Sequence, residues 1–313
     1  MLGLLKEKIK QDLPDQLVYG IYVLKSVPEY IKSKKKNKKQ RYKTIKFYTD
    51  EETVDEIINN RKSLSRFGDG EFMWMTGESL NSYQDYSEKF AEDLRKAFQN
   101  KNKNLLIGIP YGIFDSRKCN WYAKMHWSII KSDFYSRLER FIDFNRVYSN
   151  ASITRPYIDY HDYEYSTRAF RNLKRIWNKK EIVIVEGKKT KLGMGNDLFN
   201  NAKDIKRIIC PAQNAYEKLN EIETIIEEKV SKDKVIITAL GPTASILASD
   251  MCDKGYQIID IGHIDIEYFW YLNHSILRDE VPGKYVNESG KKDCSDIYDH
   301  DIHYIKSIIA NIG

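Results

Sequence analysis

Cysteine is scarce in this sequence of 313 residues, and the cysteines that occur form no paired pattern. All four are far apart and none belongs to a Cys-x-x-Cys pair: Cys119, Cys210, Cys252 and Cys294. This spacing argues against a zinc ribbon and against a disulfide framework. We expect most of these thiols to be buried as small hydrophobic side chains.

Long apolar runs are also missing. No stretch approaches the roughly 20 consecutive apolar residues that span a bilayer, and the apolar run at the N-terminus is too short for a secretory signal. The sequence therefore predicts a cytoplasmic protein. Peripheral attachment to the inner face of the plasma membrane stays open because basic residues are clustered between Lys32 and Lys46.

Basic charge is concentrated in one tract. Nine basic residues and no acidic residue lie between Lys32 and Lys46, and without them the net charge of +6 becomes −3 for the rest of the chain. A nucleic-acid-binding body would carry a basic stripe across its fold, so we expect no nucleic-acid partner. The tract is either a solvated, partly disordered linker or a patch for anionic lipid head groups. Residues 2–13 and 17–30 before it are predicted to be helical, with Pro28 breaking the second stretch near its end.

From residue 50 onward, apolar runs typical of buried parallel strands alternate with helical patterns. Strands are predicted at 63–67, 105–109, 146–153, 181–185, 205–210, 235–240 and 256–261, and helices at 51–60, 85–99, 121–144, 166–177, 215–230, 244–254 and 299–311. This alternation predicts an α/β fold with a mostly parallel sheet covered by helices on both faces. Residues 1–48 would be an N-terminal extension, residues 49–313 the main domain, and residues 283–298 a polar loop.

Ligands of such sheets bind at the carboxyl ends of the strands, where several polar runs occur. The first is Phe67-Gly68-Asp69-Gly70-Glu71. If the chain stays extended there, residues two apart face the same side, so the two carboxylates would converge. Such a pair could hold a divalent metal bound to a diphosphate. Taken alone, the run is more typical of a plain Gly-Asp-Gly turn with an exposed Glu.

Three more runs follow predicted strands. Residues 185–197 carry three glycines and three lysines, which could cradle phosphates, although they match neither a Walker loop nor a dinucleotide fingerprint. Residues 239–244 would open a helix whose N-terminus either attracts an anion or is only a structural cap. His263, Asp265 and Glu267 could serve as a general base, metal ligands or binders of sugar hydroxyls.

Together, these runs resemble a known family. They are Ser65-Arg66-Phe67-Gly68-Asp69-Gly70-Glu71, Thr154-Arg155-Pro156-Tyr157, Val185-Glu186-Gly187 with Leu192-Gly193-Met194-Gly195-Asn196-Asp197-Leu198-Phe199, Cys210-Pro211-Ala212-Gln213-Asn214-Ala215, Leu240-Gly241-Pro242-Thr243-Ala244 and Gly262-His263-Ile264-Asp265-Ile266-Glu267-Tyr268. In this order they resemble the GT-D glycosyltransferases, once described as a domain of unknown function and found in bacterial loci for adhesin glycosylation and surface polysaccharides. The resemblance covers roughly residues 50–287.

The resemblance implies a Rossmann-like single domain, a nucleoside-diphosphate sugar as donor and Mn²⁺ or Mg²⁺ as cofactor. The family's Asp-x-Glu element would be Asp69 and Glu71, as catalytic residues and metal ligands. His263, Asp265 and Glu267 would lie near the transferred sugar or the acceptor, also as catalytic residues. The donor would be bound by Arg66, Gly68, Glu186, Lys188, Thr190, Gly193, Asn196, Asp197, Gly241, Pro242 and Thr243.

The leading hypothesis is a metal-dependent glycosyltransferase. It would move a hexose, UDP-linked by the resemblance, to a glycan acceptor on a lipid carrier or glycoprotein in surface polysaccharide or glycoprotein biosynthesis. The metal and lysines would offset charge on the departing diphosphate. One alternative is a metal-dependent nucleotide or phosphoester hydrolase that uses the same carboxylates. Another is a non-catalytic membrane-surface module that docks through the basic tract.

Overall fold

Parallel strands form the centre of the fold in the computed structural model, which describes residues 13–79, 84–286 and 296–313. The strands are β1 (Lys46–Phe47), β2 (Ser63–Arg66), β3 (Leu105–Ile109), β4 (Val147–Asn150), β5 (Glu181–Gly187), β6 (Asp204–Cys210), β7 (Val235–Ala239), β8 (Gln257–Asp260) and β9 (Ile308–Asn311). They form one nine-stranded sheet in the order β1-β4-β3-β2-β8-β7-β5-β6-β9, and every neighbouring pair is parallel. The predicted α/β fold with a parallel sheet is thereby confirmed.

Helices connect the strands and cover the sheet. They are α1 (Asp15–Lys39), α2 (Asp50–Asn59), α3 (Asp69–Met75), α4 (Glu88–Gln99), α5 (Trp121–Leu138), α6 (Tyr163–Lys174), α7 (Leu219–Lys229), α8 (Pro242–Asp253), α9 (Ile264–Leu272) and α10 (Ile302–Ser307). Several begin at a capping side chain that accepts a hydrogen bond from the backbone N–H three residues on: Ser87, Asn120 and Asp162. None of the helices in the described part of the chain is long and apolar enough to cross a membrane.

Two hydrophobic clusters lie on the two faces of the sheet. Ile107 packs in one cluster and its neighbour Leu106 in the other, because successive residues of a strand point to opposite faces. Phe72 and Phe98 fill the first cluster, and Trp177 fills the second. Both faces are therefore apolar, which explains why the strands have continuous rather than alternating apolar sequences.

The sheet has a weak seam between β2 and β8. These strands share one residue pair in register, Leu64 with Ile259, whereas β5 and β6 share seven pairs from Glu181–Asp204 onward. Side chains supply further bonds across the seam. The Ser63 hydroxyl donates to the Tyr256 carbonyl at 3.2 Å and accepts from the Ile258 N–H at 3.1 Å.

The N-terminal extension is more ordered than the sequence predicted. Helix α1 runs through Pro28 to Lys39, so the predicted break is wrong, and the first half of the basic tract is helical rather than a linker. Pro28 removes the bond to the Leu24 carbonyl. This loss is tolerated because both residues are exposed and water can hydrate the carbonyl. Residues 1–12 lie outside the described part of the chain.

The C-terminal region also differs from the prediction. Residues 299–311 were expected to be one helix, but α10 ends at Ser307 and β9 follows directly. Strand β9 pairs with β6 at the edge of the sheet, so tertiary pairing overrides the local helical pattern. Most of the predicted 283–298 loop lies outside the described residues, which leave out 287–295.

Candidate active site

A cavity of about 470 Å³ opens at the carboxyl ends of the strands. Residues at or just after the ends of β2 to β8 line it: Arg66, Pro110, Ala151, Gly187, Pro211, Leu240 and Asp260. The cavity lies over the seam between β2 and β8. The strand that follows β2 in the chain, β3, lies on one side of this seam, and the strand that follows β8, β9, lies on the other. Open α/β sheets bind ligands at this kind of switch point, so the candidate site lies at the predicted edge of the sheet.

Asp69 and Glu71 both line this cavity, but not as residues of an extended chain. Asp69 is the first residue of α3, and the Glu71 carboxylate turns back to accept a hydrogen bond from the Gly68 N–H at 2.7 Å. Burial raises the pKa of Glu71 to about 7, and the negative charges of Asp260 and Asp69 add to this rise. The carboxylates face one space because a helix begins at the cavity wall, not because their spacing is two.

Arg66 ties three strand ends together below the cavity. Its guanidinium donates to the Asp260 carbonyl and to the Asp260 carboxylate, both at 2.9 Å, and to the Ala151 carbonyl at 2.9 Å. Gly262 packs directly against this group, since a Cβ atom there would lie 2.0 Å from Arg66 Nη2. Arg66, which the sequence analysis assigned to donor binding, lines the cavity, and its hydrogen bonds join the ends of β2, β4 and β8.

His263 and Asp265 reach the cavity, from the start of α9. His263 is the N-cap residue. Asp265 is almost fully buried and accepts hydrogen bonds from the Gly193 N–H at 3.0 Å and the Asn196 side-chain amide at 2.7 Å. It also forms an ion pair with Lys284. Asp265 therefore anchors the glycine-rich loop to α9 and also lines the cavity.

Glu267 lies outside the cavity lining formed by the described residues. Because α9 is helical, side chains two residues apart point in different directions, so Glu267 does not share the direction of Asp265. Its buried carboxylate accepts hydrogen bonds from the Ile158 N–H at 2.9 Å and the Tyr157 N–H at 3.2 Å, and lies 3.3 Å from Arg155 Nε. Burial raises the pKa of Glu267 to about 7. The structure thus gives Glu267 contacts to the chain after β4 rather than to a ligand.

Glu186 likewise supports the site from beneath. It is fully buried at the end of β5, forms an ion pair with Arg207 at 2.5 Å and accepts a hydrogen bond from the Leu192 N–H at 2.6 Å. Of the loop that follows, Gly187, Thr190 and Leu192 line the cavity. The loop therefore meets the cavity mainly through backbone and small polar groups.

The remaining loop residues predicted to bind the donor lie elsewhere. Lys188 is exposed and is not part of the described lining. Gly193 and Asn196 face Asp265, as described above. The Asp197 carboxylate accepts a hydrogen bond from the Tyr268 hydroxyl at 2.7 Å and pairs with Lys174 at 3.0 Å. These residues fix the shape of the loop. The pattern of glycines and lysines in the sequence could not distinguish this structural role from phosphate binding.

The N-terminus of α8 meets the cavity through Gly241. Gly241 has a φ of +56°, a conformation that favours glycine. Pro242 and Thr243 are buried behind it. The Thr243 hydroxyl lies 3.5 Å from the side-chain oxygen of Gln84, which itself lines the cavity. The start of α8 therefore faces the ligand space through Gly241, while the Ala244 N–H donates to the Gly241 carbonyl at 3.0 Å as part of the helix cap.

The sequence patterns do not identify several residues that line the cavity: His126, Asp159 and Arg278, together with Arg155, which belongs to one of the family-like runs but has no predicted role. Arg278 donates to the Asp159 carboxylate at 2.9 Å. Burial lowers the pKa of His126, while Asp69 and Asp159 act in the opposite direction. His126 stands within α5 without a surrounding motif, so only the fold brings it to the cavity.

The acidic pair fits a hard divalent cation by its chemistry. Asp69 and Glu71 offer carboxylate oxygens, which Mg²⁺ and Mn²⁺ prefer. A cation would offset both the burial that chiefly raises the pKa of Glu71 and the smaller repulsion from Asp260 and Asp69. Within the described residues, no group of three or more His, Cys, Asp or Glu side chains is arranged to hold a metal. A metal held here would therefore take its other ligands from water or from a diphosphate.

Known proteins resemble most of this chain. A family model described as "Glycosyltransferase GT-D fold" matches residues 64–289. The chain is 35% identical over 262 residues to "Glycosyltransferase GlyD" of Streptococcus pneumoniae serotype 4, a match that covers 82% of the chain and 30% of that protein. It is 34% identical over 267 residues to "Probable glycosyl transferase Gly" of Streptococcus gordonii, covering 84% of the chain and 38% of that protein. The chain thus spans about a third of the length of these curated relatives.

Solved structures share the architecture. One, described as "The highly conserved domain of unknown function 1792 has a distinct glycosyltransferase fold", is 36% identical with a TM-score of 0.78, and the match covers 86% of this chain and 96% of the other. Another, described as "A New Glycosyltransferase (DUF1792) from Streptococcus sanguinis", is 33% identical with a TM-score of 0.79, covering 86% of this chain and 100% of the other. The similarity therefore extends over most of this chain and nearly all of each solved chain.

Proposed function

Because the chain belongs to the family of glycosyltransferases with the GT-D fold, we propose that it transfers a hexose from a UDP-linked donor to a glycan acceptor. The observation that carries this proposal is the position of Asp69 and Glu71 at the switch-point cavity, with the N-terminus of α8 in the same space. An anion-attracting helix end and a carboxylate pair that suits a divalent cation match the two needs of a nucleoside diphosphate. The cavity volume is also in the range of ligand sites.

In this proposal, the backbone around Gly241 and the polar loop after β6 bind the nucleotide diphosphate. Gln213 and Asn214 of that loop line the cavity. Asp69 and Glu71 would hold Mn²⁺ or Mg²⁺, which when bound offsets negative charge on the departing diphosphate. The sugar then lies toward His126, Asp159 and Arg278, which also line the cavity and whose polar groups can bind its hydroxyls.

The acceptor hydroxyl must lose a proton during transfer. Two imidazoles line the cavity, His126 and His263. Burial lowers the pKa of His126, so at neutral pH its imidazole is uncharged and can accept a proton. Glu267 is a poorer candidate for this role, because the backbone of residues 157 and 158 already occupies one of its oxygens.

We further propose that the acceptor is a glycan on a lipid carrier or a glycoprotein, handled on the cytoplasmic side of the membrane. The family resemblance supports the acceptor class. Three cysteines of the described chain are free, buried thiols, Cys119, Cys210 and Cys252, as is usual in reducing compartments.

Replacing Asp69 tests the assignment. Asp69→Asn should lower transfer from UDP-hexoses in the presence of Mn²⁺ by roughly 100-fold or more, with an unchanged melting temperature, because the side chain is only half-buried. The matched control is Asp15→Asn, since Asp15 is also the first residue of a helix but lies on exposed α1. Near-normal turnover in Asp69→Asn would contradict the proposal. Release of monophosphate without an acceptor in the wild type would indicate a hydrolase instead.

A further inference from the structure

The solvent-facing side of α1 carries an exposed apolar stripe. Leu17, Leu24 and Ile31 follow one another at intervals of seven residues, which places them on one side of a helix. Their exposed fractions are 56%, 71% and 50%. Large aliphatic side chains with this exposure are usual when scattered singly, but a line of three along one helix marks a contact surface.

The same side of the helix becomes basic toward its C-terminal end. Lys35, Lys38 and Lys39 are exposed in the last turns. At 100° per residue, Lys35 and Lys38 continue the line of Leu24 and Ile31. The acidic residues of α1 lie away from this line: at 100° per residue, Asp15 and Glu29 are rotated by roughly 140–180° from Leu24, and Glu29 pairs with Lys32 at 2.7 Å. The surface is therefore apolar at one end and strongly positive at the other.

The opposite side of α1 is fixed to the body of the protein. Val18 and Ser33 are buried there. The Ser33 and Ser128 hydroxyls lie 2.8 Å apart, and the Asn37 side-chain amide donates to the Ser128 carbonyl at 3.0 Å. Because these bonds hold the helix against α5, its apolar stripe cannot turn inward, and the stripe stays available to an outside partner.

We propose that this face of α1 docks the protein on an anionic lipid bilayer, with the helix lying in the plane of the membrane surface. Aliphatic side chains would enter the boundary between head groups and acyl chains, while the lysines contact anionic head groups. A nucleic acid would match the positive charge but has no use for the line of Leu24 and Ile31. The bilayer is the partner that satisfies both halves of the surface.

Docking through α1 would also bring the cavity near the membrane. The Tyr19 hydroxyl donates to the Asn120 side chain at 3.1 Å, and the Asn120 N–H donates to the Asp159 carbonyl at 2.8 Å. Asp159 lines the cavity, so two hydrogen bonds connect the docking helix to the site. This proposal does not rest on the donor or the acceptor, because bilayer binding can be measured without either.

Vesicle co-sedimentation of the full chain tests the proposal. Binding to phosphatidylcholine vesicles with about 30% phosphatidylglycerol should exceed binding to pure phosphatidylcholine and should fall at high salt. Lys35→Ala combined with Lys38→Ala should weaken binding roughly 25-fold, since about 1 kcal/mol per basic residue corresponds to roughly fivefold for each. Leu24→Ser should weaken it by roughly tenfold.

Matched controls use exposed residues of the same types elsewhere on the protein. Lys101→Ala combined with Lys103→Ala removes two exposed lysines before β3, and Leu272→Ser removes a leucine that is 43% exposed on α9. These variants should bind like the wild type, and all variants should keep its melting temperature because every substituted side chain is exposed. Equal binding to neutral vesicles, no binding to either kind, or equal losses in test and control variants would each overturn the proposal. So would lysine-dependent binding that Leu24→Ser leaves intact.

Discussion

Carboxylates near the strand ends have different roles because their surroundings differ. Asp69 is half-buried at the cavity wall. Asp265, Glu186 and Glu267 are buried, and each accepts a backbone N–H from a neighbouring loop. A buried carboxylate that receives such bonds holds its loop in place. The sequence could predict that these acids lie near the site. It could not show which of their carboxylates accept hydrogen bonds from the backbone of the loops.

Replacing Glu186 tests whether this carboxylate stabilises the fold or binds the donor. Glu186→Ala should destabilise the protein by roughly 3–5 kcal/mol, because it leaves the Arg207 guanidinium buried and unpaired. Urea denaturation at neutral pH gives the value. Glu181→Ala on the same strand is the control, since Glu181 pairs with Lys203 and Lys234 near the surface, and each such pair should contribute no more than about 1 kcal/mol. Unchanged stability with a raised KM for the donor would show that Glu186 binds the donor instead.

At the scale of elements, the connection after β8 determines how the site is built. Gly262 has a φ of +45° and packs against the Arg66 guanidinium. Gly262→Ala should destabilise the protein by roughly 2–4 kcal/mol, through backbone strain and displacement of Arg66, and it should lower the transfer rate. Thermal denaturation and a transferase assay measure the two effects.

Gly255→Ala is the control that introduces backbone strain without displacing a neighbouring side chain. Gly255 also has a positive φ, +85°, but a Cβ there would meet only Lys232 Nζ, at the ordinary distance of 3.8 Å. This variant should lose about 1–2 kcal/mol from strain alone and keep its transfer rate. Equal effects of the two substitutions on both measurements would contradict the clamping role assigned to Arg66.

Elements with strong patterns were predictable, and elements set by tertiary contacts were not. The continuous apolar sequences of β3, β5 and β7 predicted buried strands, which the structure confirms. Strand β1 has two residues and therefore no periodicity, and β9 exists because β6 offers it an edge. Helix α3 was missed because its glycines suggested a turn, although Asp69 at its first position favours the N-terminus of a helix.

For the whole molecule, donor binding should appear as added stability. A UDP-hexose with Mn²⁺ at 100 times its Kd should stabilise the fold by about 2.7 kcal/mol, which raises the melting temperature by roughly 4–6 °C for a chain of this size. GDP- and dTDP-sugars at the same concentration should give smaller shifts. A thermal-shift panel with and without Mn²⁺ measures this, and Asp69→Asn should lose the part that depends on the metal. Equal shifts with all three bases would contradict UDP as the donor nucleotide.

The seam between β2 and β8 has a consequence for this whole-molecule stability. The backbone joins the two sides of the sheet there through one residue pair, Leu64 with Ile259, and the cavity lies above that junction. A ligand that reaches from Asp69 to Gly241 touches loops from both sides. It would therefore add contacts across the junction beside those that Arg66 and Ser63 already make, and release of product would remove these added contacts.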